Sequence, residues 1–194
     1  MSNTTPDNGD STQILDNTNL DTHSSDNENN STNTDTPEYE DKALNDTWIL
    51  WYHDPNDLNW DISSYKIVST IKTITDFWNT YEFLKNNVIE NSMFFIMREG
   101  ILPLWEDAKN VNGGCWSFKI SKGSIKKYWS ELSIFLLGEN ITKKERLING
   151  LSISPKKTFC IIKIWNSDKS KNDKNLLNKK MDIPFDSCIY KQHK

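Results

Sequence analysis

The feature that most constrains folding is a break in composition near residue 42. Residues 1–41 are almost entirely Asn, Asp, Thr, Ser and Glu, and apart from Met1 their only aliphatic side chains are Ile14, Leu15 and Leu20. Ordering a backbone costs ~1–2 kcal/mol per residue, and so little apolar surface cannot offset it. Residues 1–41 are therefore expected to be a disordered acidic tail. From Leu44 onward the pattern changes abruptly, and residues 42–194 are expected to form one domain.

The same break divides the charge. The first 41 residues hold ten of the 27 acidic side chains and no Lys or Arg, which leaves 23 basic and 17 acidic groups, a net of +6, in the remainder. An acidic tail ahead of a mildly basic domain is compatible with a polyanionic ligand, but charge alone favours a solvated tail and a lysine-rich surface. Cys115, Cys160 and Cys188 are odd in number and lack CxxC spacing, so neither a disulfide framework nor a zinc site is expected. No apolar run approaches the ~18 residues that span a bilayer, and the N-terminus lacks a signal-peptide pattern. A cytoplasmic, reduced, monomeric protein without cofactor, metal or membrane partner is the expectation.

Hydrophobic periodicity sets out the elements. Strands are predicted over Trp48–His53, Ser64–Ile71, Met93–Arg98, Cys115–Ser121, Leu147–Ile153 and Thr158–Trp165, with a last one near Asp186–Tyr190. A helix is predicted over Thr73–Asn86, capped by Thr73 or Thr75, with Phe77, Tyr81 and Leu84 as its buried stripe. A second runs from Lys122 to Leu137, with Ile125, Tyr128, Trp129, Leu132 and Leu136 on one face and Gly138 at the C-cap. A short helix passes through Leu176 and Leu177. Strands joined by both hairpins and helices make an α+β fold with a mostly antiparallel sheet.

Eight tryptophans in about 150 residues is a large number. Trp48, Trp51, Trp116 and Trp129 lie on predicted strands or a helix core face, where an indole supplies apolar area to the interior. Trp60 and Trp105 fit no such account. They sit in Asn56-Asp57-Leu58-Asn59-Trp60-Asp61 and Pro103-Leu104-Trp105-Glu106-Asp107-Ala108, both without strand or helix period. Loop aromatics are disproportionately functional. Two indoles stack on a purine from both sides, at ~1–3 kcal/mol per contact. A positive charge on the base adds ~2 kcal/mol when desolvated. An adjacent carboxylate accepts two N–H bonds from a guanine edge. Unmethylated guanine offers the same edge without the cation, so methylation is the expected source of selectivity.

The segments Trp48-Ile49-Leu50-Trp51, Asp76-Phe77-Trp78, Leu102-Pro103-Leu104-Trp105-Glu106-Asp107, Asn112-Gly113-Gly114-Cys115-Trp116, Glu131 through Gly138-Glu139, and Ile164-Trp165 together resemble the translation initiation factor 4E family, in order from about Lys42 to Gln192. The resemblance implies a curved antiparallel sheet with three helices on its convex face and a slot for the 7-methylguanosine cap of messenger RNA on its concave face. It implies Trp60 and Trp105 as the sandwich, Glu106 as the guanine-reading carboxylate, the backbone N–H of Trp105 on the guanine carbonyl, and Trp165 against the 7-methyl group. It also implies Lys156, with its neighbour Lys157, as the phosphate contacts; read without the resemblance, that pair is better taken as a solvated hairpin turn. Three positions depart from the family: Cys115 stands where it has arginine, and Thr158 and Ile161 where it has lysines. With the chain ending at Lys194, a further C-terminal loop over the phosphates is also expected to be lacking. The expectation is an intact base site with a weakened or rebuilt phosphate clamp.

A second surface is legible. Ile74 and Trp78 form an i, i+4 pair displaced from the core stripe of the first helix, and Glu131 and Ile134 point away from the core face of the second. An exposed Trp beside aliphatics and a carboxylate suits an amphipathic helix. The resemblance implies the binding helix of scaffold factor 4G or of a 4E-binding protein, with Leu44 at an edge where the family's His-Pro-Leu reads Lys42-Ala43-Leu44. Recruitment of such a scaffold to start translation is the leading reading, and a competitor or repressor that holds caps without a scaffold is the alternative. A hydrolase using Glu106 and Asp107 is disfavoured. Glycoside cleavage needs carboxyl groups facing each other at ~5–9.5 Å, whereas adjacent residues on an extended chain point apart.

Overall fold

The computed structural model describes residues 41–84 and 88–193. The expectation of a disordered tail therefore falls outside the described residues except at Asp41, as does the end of the first helix at residues 85–86. Among the described residues seven strands form one sheet: β1 (Ala43–His53), β2 (Tyr65–Thr73), β3 (Met93–Arg98), β4 (Gly114–Ser121), β5 (Ile148–Pro155), β6 (Phe159–Asn166) and β7 (Ile189–Gln192). Their order is β2-β1-β3-β5-β6-β4-β7, with every neighbouring pair antiparallel. The sheet is open and curved, and α1 (Ile74–Phe83), α2 (Val88–Asn91) and α3 (Ile125–Leu137) pack on its convex face.

Side-chain alternation along each strand divides the apolar residues between two faces. Phe94 and Ile96 of β3, Trp116 and Phe118 of β4, and Ile162 and Ile164 of β6 join the large core beneath the helices. Their neighbours Met93, Phe95 and Met97, with Cys115 and Trp165, form a smaller cluster on the concave face, which Tyr65, Trp51 and Leu104 complete. Both faces of β3 are covered, so all six of its residues are buried. Trp48, Trp116 and Trp129 are fully buried as expected, whereas Trp51 is only half-buried and belongs to the concave face.

The helix starts follow local chemistry. Thr73, not Thr75, caps α1: its hydroxyl accepts from the Asp76 N–H at 3.1 Å, while the Asp76 carboxylate accepts from the Thr73 N–H at 3.0 Å. This reciprocal pair satisfies two otherwise orphaned donors. Residues Lys122–Ser124 make a single tight turn before α3, so the α-helix proper begins three residues later than expected. Gly138 does cap α3, but with φ −80°; the left-handed residue is Glu139, at φ 53°. Its carboxylate is held by Arg98, which also pairs with Asp46 and donates to the Ile148 carbonyl at 3.2 Å. Leu176 and Leu177 lie at a 3-10 turn (Lys174–Leu176) rather than an α-helix, and a second such turn (Phe185–Ser187) moves the start of the last strand to Ile189.

Candidate functional site

The concave face carries a cavity of about 250 Å³. Trp60, Trp105 and Trp165 all line it, as do Tyr65, Cys115 and His193. Each indole is placed by a different device.

Trp60 rides on a loop built from consecutive side-chain-to-backbone turns. Asp54, Asp57 and Asn59 each accept, through a side-chain oxygen, the N–H two residues ahead, at 2.8–2.9 Å. Such turns mimic backbone turns and pull the chain tight without strand or helix. The loop is fastened to the sheet by His53, whose Nε2 lies 2.8 Å from the Asn59 carbonyl. A carbonyl only accepts, so Nε2 carries the proton. The His53 ring, fully buried, stacks parallel beneath Trp60, with centroids 4.5 Å apart and planes 5° from coplanar. Trp60 thus has one face backed by imidazole and remains 49% exposed.

Trp105 rides on a loop tied at both ends. Asp107 accepts from the Leu102 N–H at 3.1 Å and the Lys109 N–H at 2.8 Å. The buried Asn110 amide donates to the carbonyls of Leu102 and Leu104 at 2.9 and 2.7 Å. Asn149 on β5 in turn holds Asn110 Oδ1 at 2.9 Å. Asp107 is consumed by loop geometry, while Glu106 is exposed and has no hydrogen bond or ion pair among the described residues. Glu106 does not form part of the cavity wall, yet its charge is felt there. Tyr65 is pushed up to about 12 by burial first and by the Glu106 carboxylate second.

Trp165 is held by packing and a hydrogen bond. Only 5% exposed, it donates from Nε1 to Ser152 Oγ at 2.9 Å and packs against His193, centroids 4.9 Å apart. His193 also joins the Trp105 loop to β4. Its Nδ1 lies 2.8 Å from the Asn110 carbonyl and its Nε2 3.0 Å from Cys115 Sγ. Nδ1 must donate to that carbonyl, so Nε2 accepts and the thiol is the donor. Burial holds both groups neutral: the Cys115 thiol is pushed up to about 12, and His193 is lowered below its ordinary 6.5.

Lys156 and Lys157 occupy the exposed β5–β6 turn, where the Lys156 N–H donates to the Phe159 carbonyl at 2.8 Å, and neither lines the cavity. The cationic wall residues are Lys163 and Lys191 instead. Sequence reasoning missed Lys163, although strand alternation carried the signal: it lies two residues before Trp165 and so shares its face. His53, His193 and Lys191 carried no comparable signal, since their positions depend on loop closure and on the register of β7.

On the opposite face, Ile74, Trp78 and Ile134 are 42%, 47% and 48% exposed, respectively. Trp78 is propped by the edge of Tyr81 at 5.9 Å and by Phe77 at 5.0 Å. Glu131 is half-buried, with Oε1 accepting from the Asp182 N–H at 2.7 Å, and Leu44 packs against the main core. No helix among the described residues is long and apolar enough to cross a membrane.

Residues 43–194 match the family model described as eukaryotic initiation factor 4E. The chain is similar to initiation factor 4E-3 of Caenorhabditis elegans, 29% identical over 167 residues, which cover 78% of this chain and 66% of that protein. It therefore spans just under two thirds of that relative's length. It also resembles the structure of C. elegans initiation factor 4E-3 in complex with the 4E-binding protein Mextli and a cap analog, at TM-score 0.69 and 27% identity, covering 79% of this chain and 93% of that one. The Ascaris suum 4E-3 complex with an m2,2,7G cap matches at TM-score 0.70 and 28% identity, covering 80% and 93%.

Proposed function

The chain belongs to the eukaryotic initiation factor 4E family, and on that premise we propose that it binds the 7-methylguanosine cap of messenger RNA in the cytoplasm and presents it to a helical segment of a 4G-type scaffold. The cap-binding unit is residues 42–194. The observation that carries this reading is the convergence of Trp60, Trp105 and Trp165 on one cavity, with Glu106 free beside it.

In this reading the methylated base enters between Trp60 and Trp105. The imidazole of His53 stiffens the first indole, so little ordering remains to be done on binding. Methylation at N7 leaves the purine cationic, and both indole faces attract it. Trp165, already immobilised, meets the methyl group. Glu106 accepts the two N–H bonds of the guanine edge, a charge-assisted pair roughly twice as strong as neutral ones. The backbone N–H of Trp105 donates to the guanine carbonyl. Lys156 and Lys157 meet the far end of the phosphate chain. The site binds and does not catalyse: Asp107, the second carboxylate in sequence, is spent on the Leu102 and Lys109 amides.

The partner surface is Ile74, Trp78, Glu131 and Ile134, with Leu44 at its edge. Recovery of a 4G-type scaffold with the cap-bound protein supports the initiating role. Cap binding without scaffold capture identifies a competitor.

Retention on immobilised 7-methylguanosine triphosphate tests the base site. Trp60→Ala and Trp105→Ala each remove one stacking face, ~1–3 kcal/mol before the cationic contribution, and are expected to weaken binding at least tenfold. Retention of both variants equal to that of the parent would reject the sandwich.

A further inference from the structure

Resting on the cap reading, we propose that Lys163 and Lys191, reaching over Cys115 and beside Ser117, form the principal phosphate-binding subsite of this protein.

The strand register places these residues. On the concave face, Gly150 of β5, Trp165 of β6, Cys115 of β4 and Lys191 of β7 stand opposite one another in one row. The next row contains Ser152, Lys163 and Ser117. Lys163 and Lys191 are thus diagonal across β4, with Cα atoms about 12 Å apart from the strand and residue spacings of a sheet. Each has a flexible four-carbon stem with three ammonium donors. The Cys115 thiol between them is short and already turned to His193, so it leaves the space above β4 to the two lysines.

Charge selects the ligand. Among the described residues the cavity wall contains both lysines and no carboxylate, with Ser117, Ser152, Ser154 and Gln192 as further hydrogen-bonding groups. Neither lysine has an ion-pair partner among the described residues. The Lys163 charge lowers the proton affinity of both Cys115 and His193, though burial dominates each. A cavity whose wall combines aromatic side chains with unpaired ammonium groups suits a ligand that is planar and cationic at one end and anionic at the other. Along β6, Lys163 lies between Trp165 and the Lys156-Lys157 turn, so a phosphate chain leaving the base meets Lys163 first.

The experiment is a tryptophan-fluorescence titration of the full chain with 7-methylguanosine, its 5′-monophosphate and its 5′-triphosphate. It compares the parent with K163Q, K191Q and the turn variant K156Q/K157Q. K163Q and K191Q are each expected to weaken triphosphate binding about tenfold, as for loss of a charged hydrogen bond, and to leave nucleoside affinity within twofold. The turn variant is expected to lose less than either. Triphosphate affinity within twofold of the parent in both single variants would overturn the assignment, as would an equal loss of nucleoside binding. No response of the parent to any of the three ligands would overturn the cap reading itself, and this subsite with it.

Discussion

Two histidines position the aromatic residues of the concave cavity. His53 is the platform under Trp60, and His193 is the strut between the Asn110 carbonyl and the Cys115 thiol. The strut works only while Nε2 is an acceptor, which makes it sensitive to acid. Burial lowers the folded-state proton affinity of His193 below the ordinary 6.5, so the unfolded chain binds that proton more readily. Its stabilisation is complete above pH 6.5 and is lost as pH falls through the lower folded-state value. Urea midpoints taken between pH 7.5 and 5 should therefore decline for the parent and decline less for His193→Asn; identical slopes would contradict the strut. The indoles at 60 and 105 were legible because polar, aperiodic segments give no structural reason for a Trp. His53 was not, because its role exists only once the Asp54, Asp57 and Asn59 turns fold the loop back over the strand end.

At the scale of elements, the strands were legible to within a few residues wherever apolar side chains alternate or run unbroken. Met93–Arg98 matches its expected bounds. β1 begins at Ala43, five residues before the apolar run, because Ala43–Thr47 is a partly exposed stretch of mixed polarity without an alternation to mark it. The α3 terminus shows a different limit. Glycine at 138 suggests the left-handed cap, but Glu139 adopts it, held by an ion pair with Arg98 that lies 41 residues away in sequence. Close strand packing was likewise invisible. A Cβ at Gly150 would lie 2.5 Å from the Ile96 carbonyl oxygen and 2.4 Å from Met97 Sδ, and the backbone oxygen cannot swing aside. Gly150→Ala should therefore cost about 1–3 kcal/mol in urea unfolding. A loss below about 0.5 kcal/mol would show that β3 and β5 approach less closely than described.

For the whole molecule, the curved sheet separates two surfaces. Its concave face carries the tryptophan cavity, and its convex face carries helices whose outer side leaves Trp78, Ile74 and Ile134 unburied. The faces share only the strands between them, so they should be separable by mutation. Trp78→Ala is expected to abolish capture of an amphipathic helical peptide of the 4G type and to leave cap affinity within twofold; parallel loss of both would show that the two faces are coupled. The central claim is that a cationic purine is held between Trp60 and Trp105, and titration of intrinsic fluorescence with 7-methylguanosine triphosphate and with GTP tests it most directly. The two ligands share phosphates, sugar and guanine edge and differ in the methyl group and its charge. Saturable quenching with at least tenfold tighter binding of the methylated nucleotide is the expected result, from a cation–π contribution of ~2 kcal/mol; equal affinities, or no quenching by either, would contradict it.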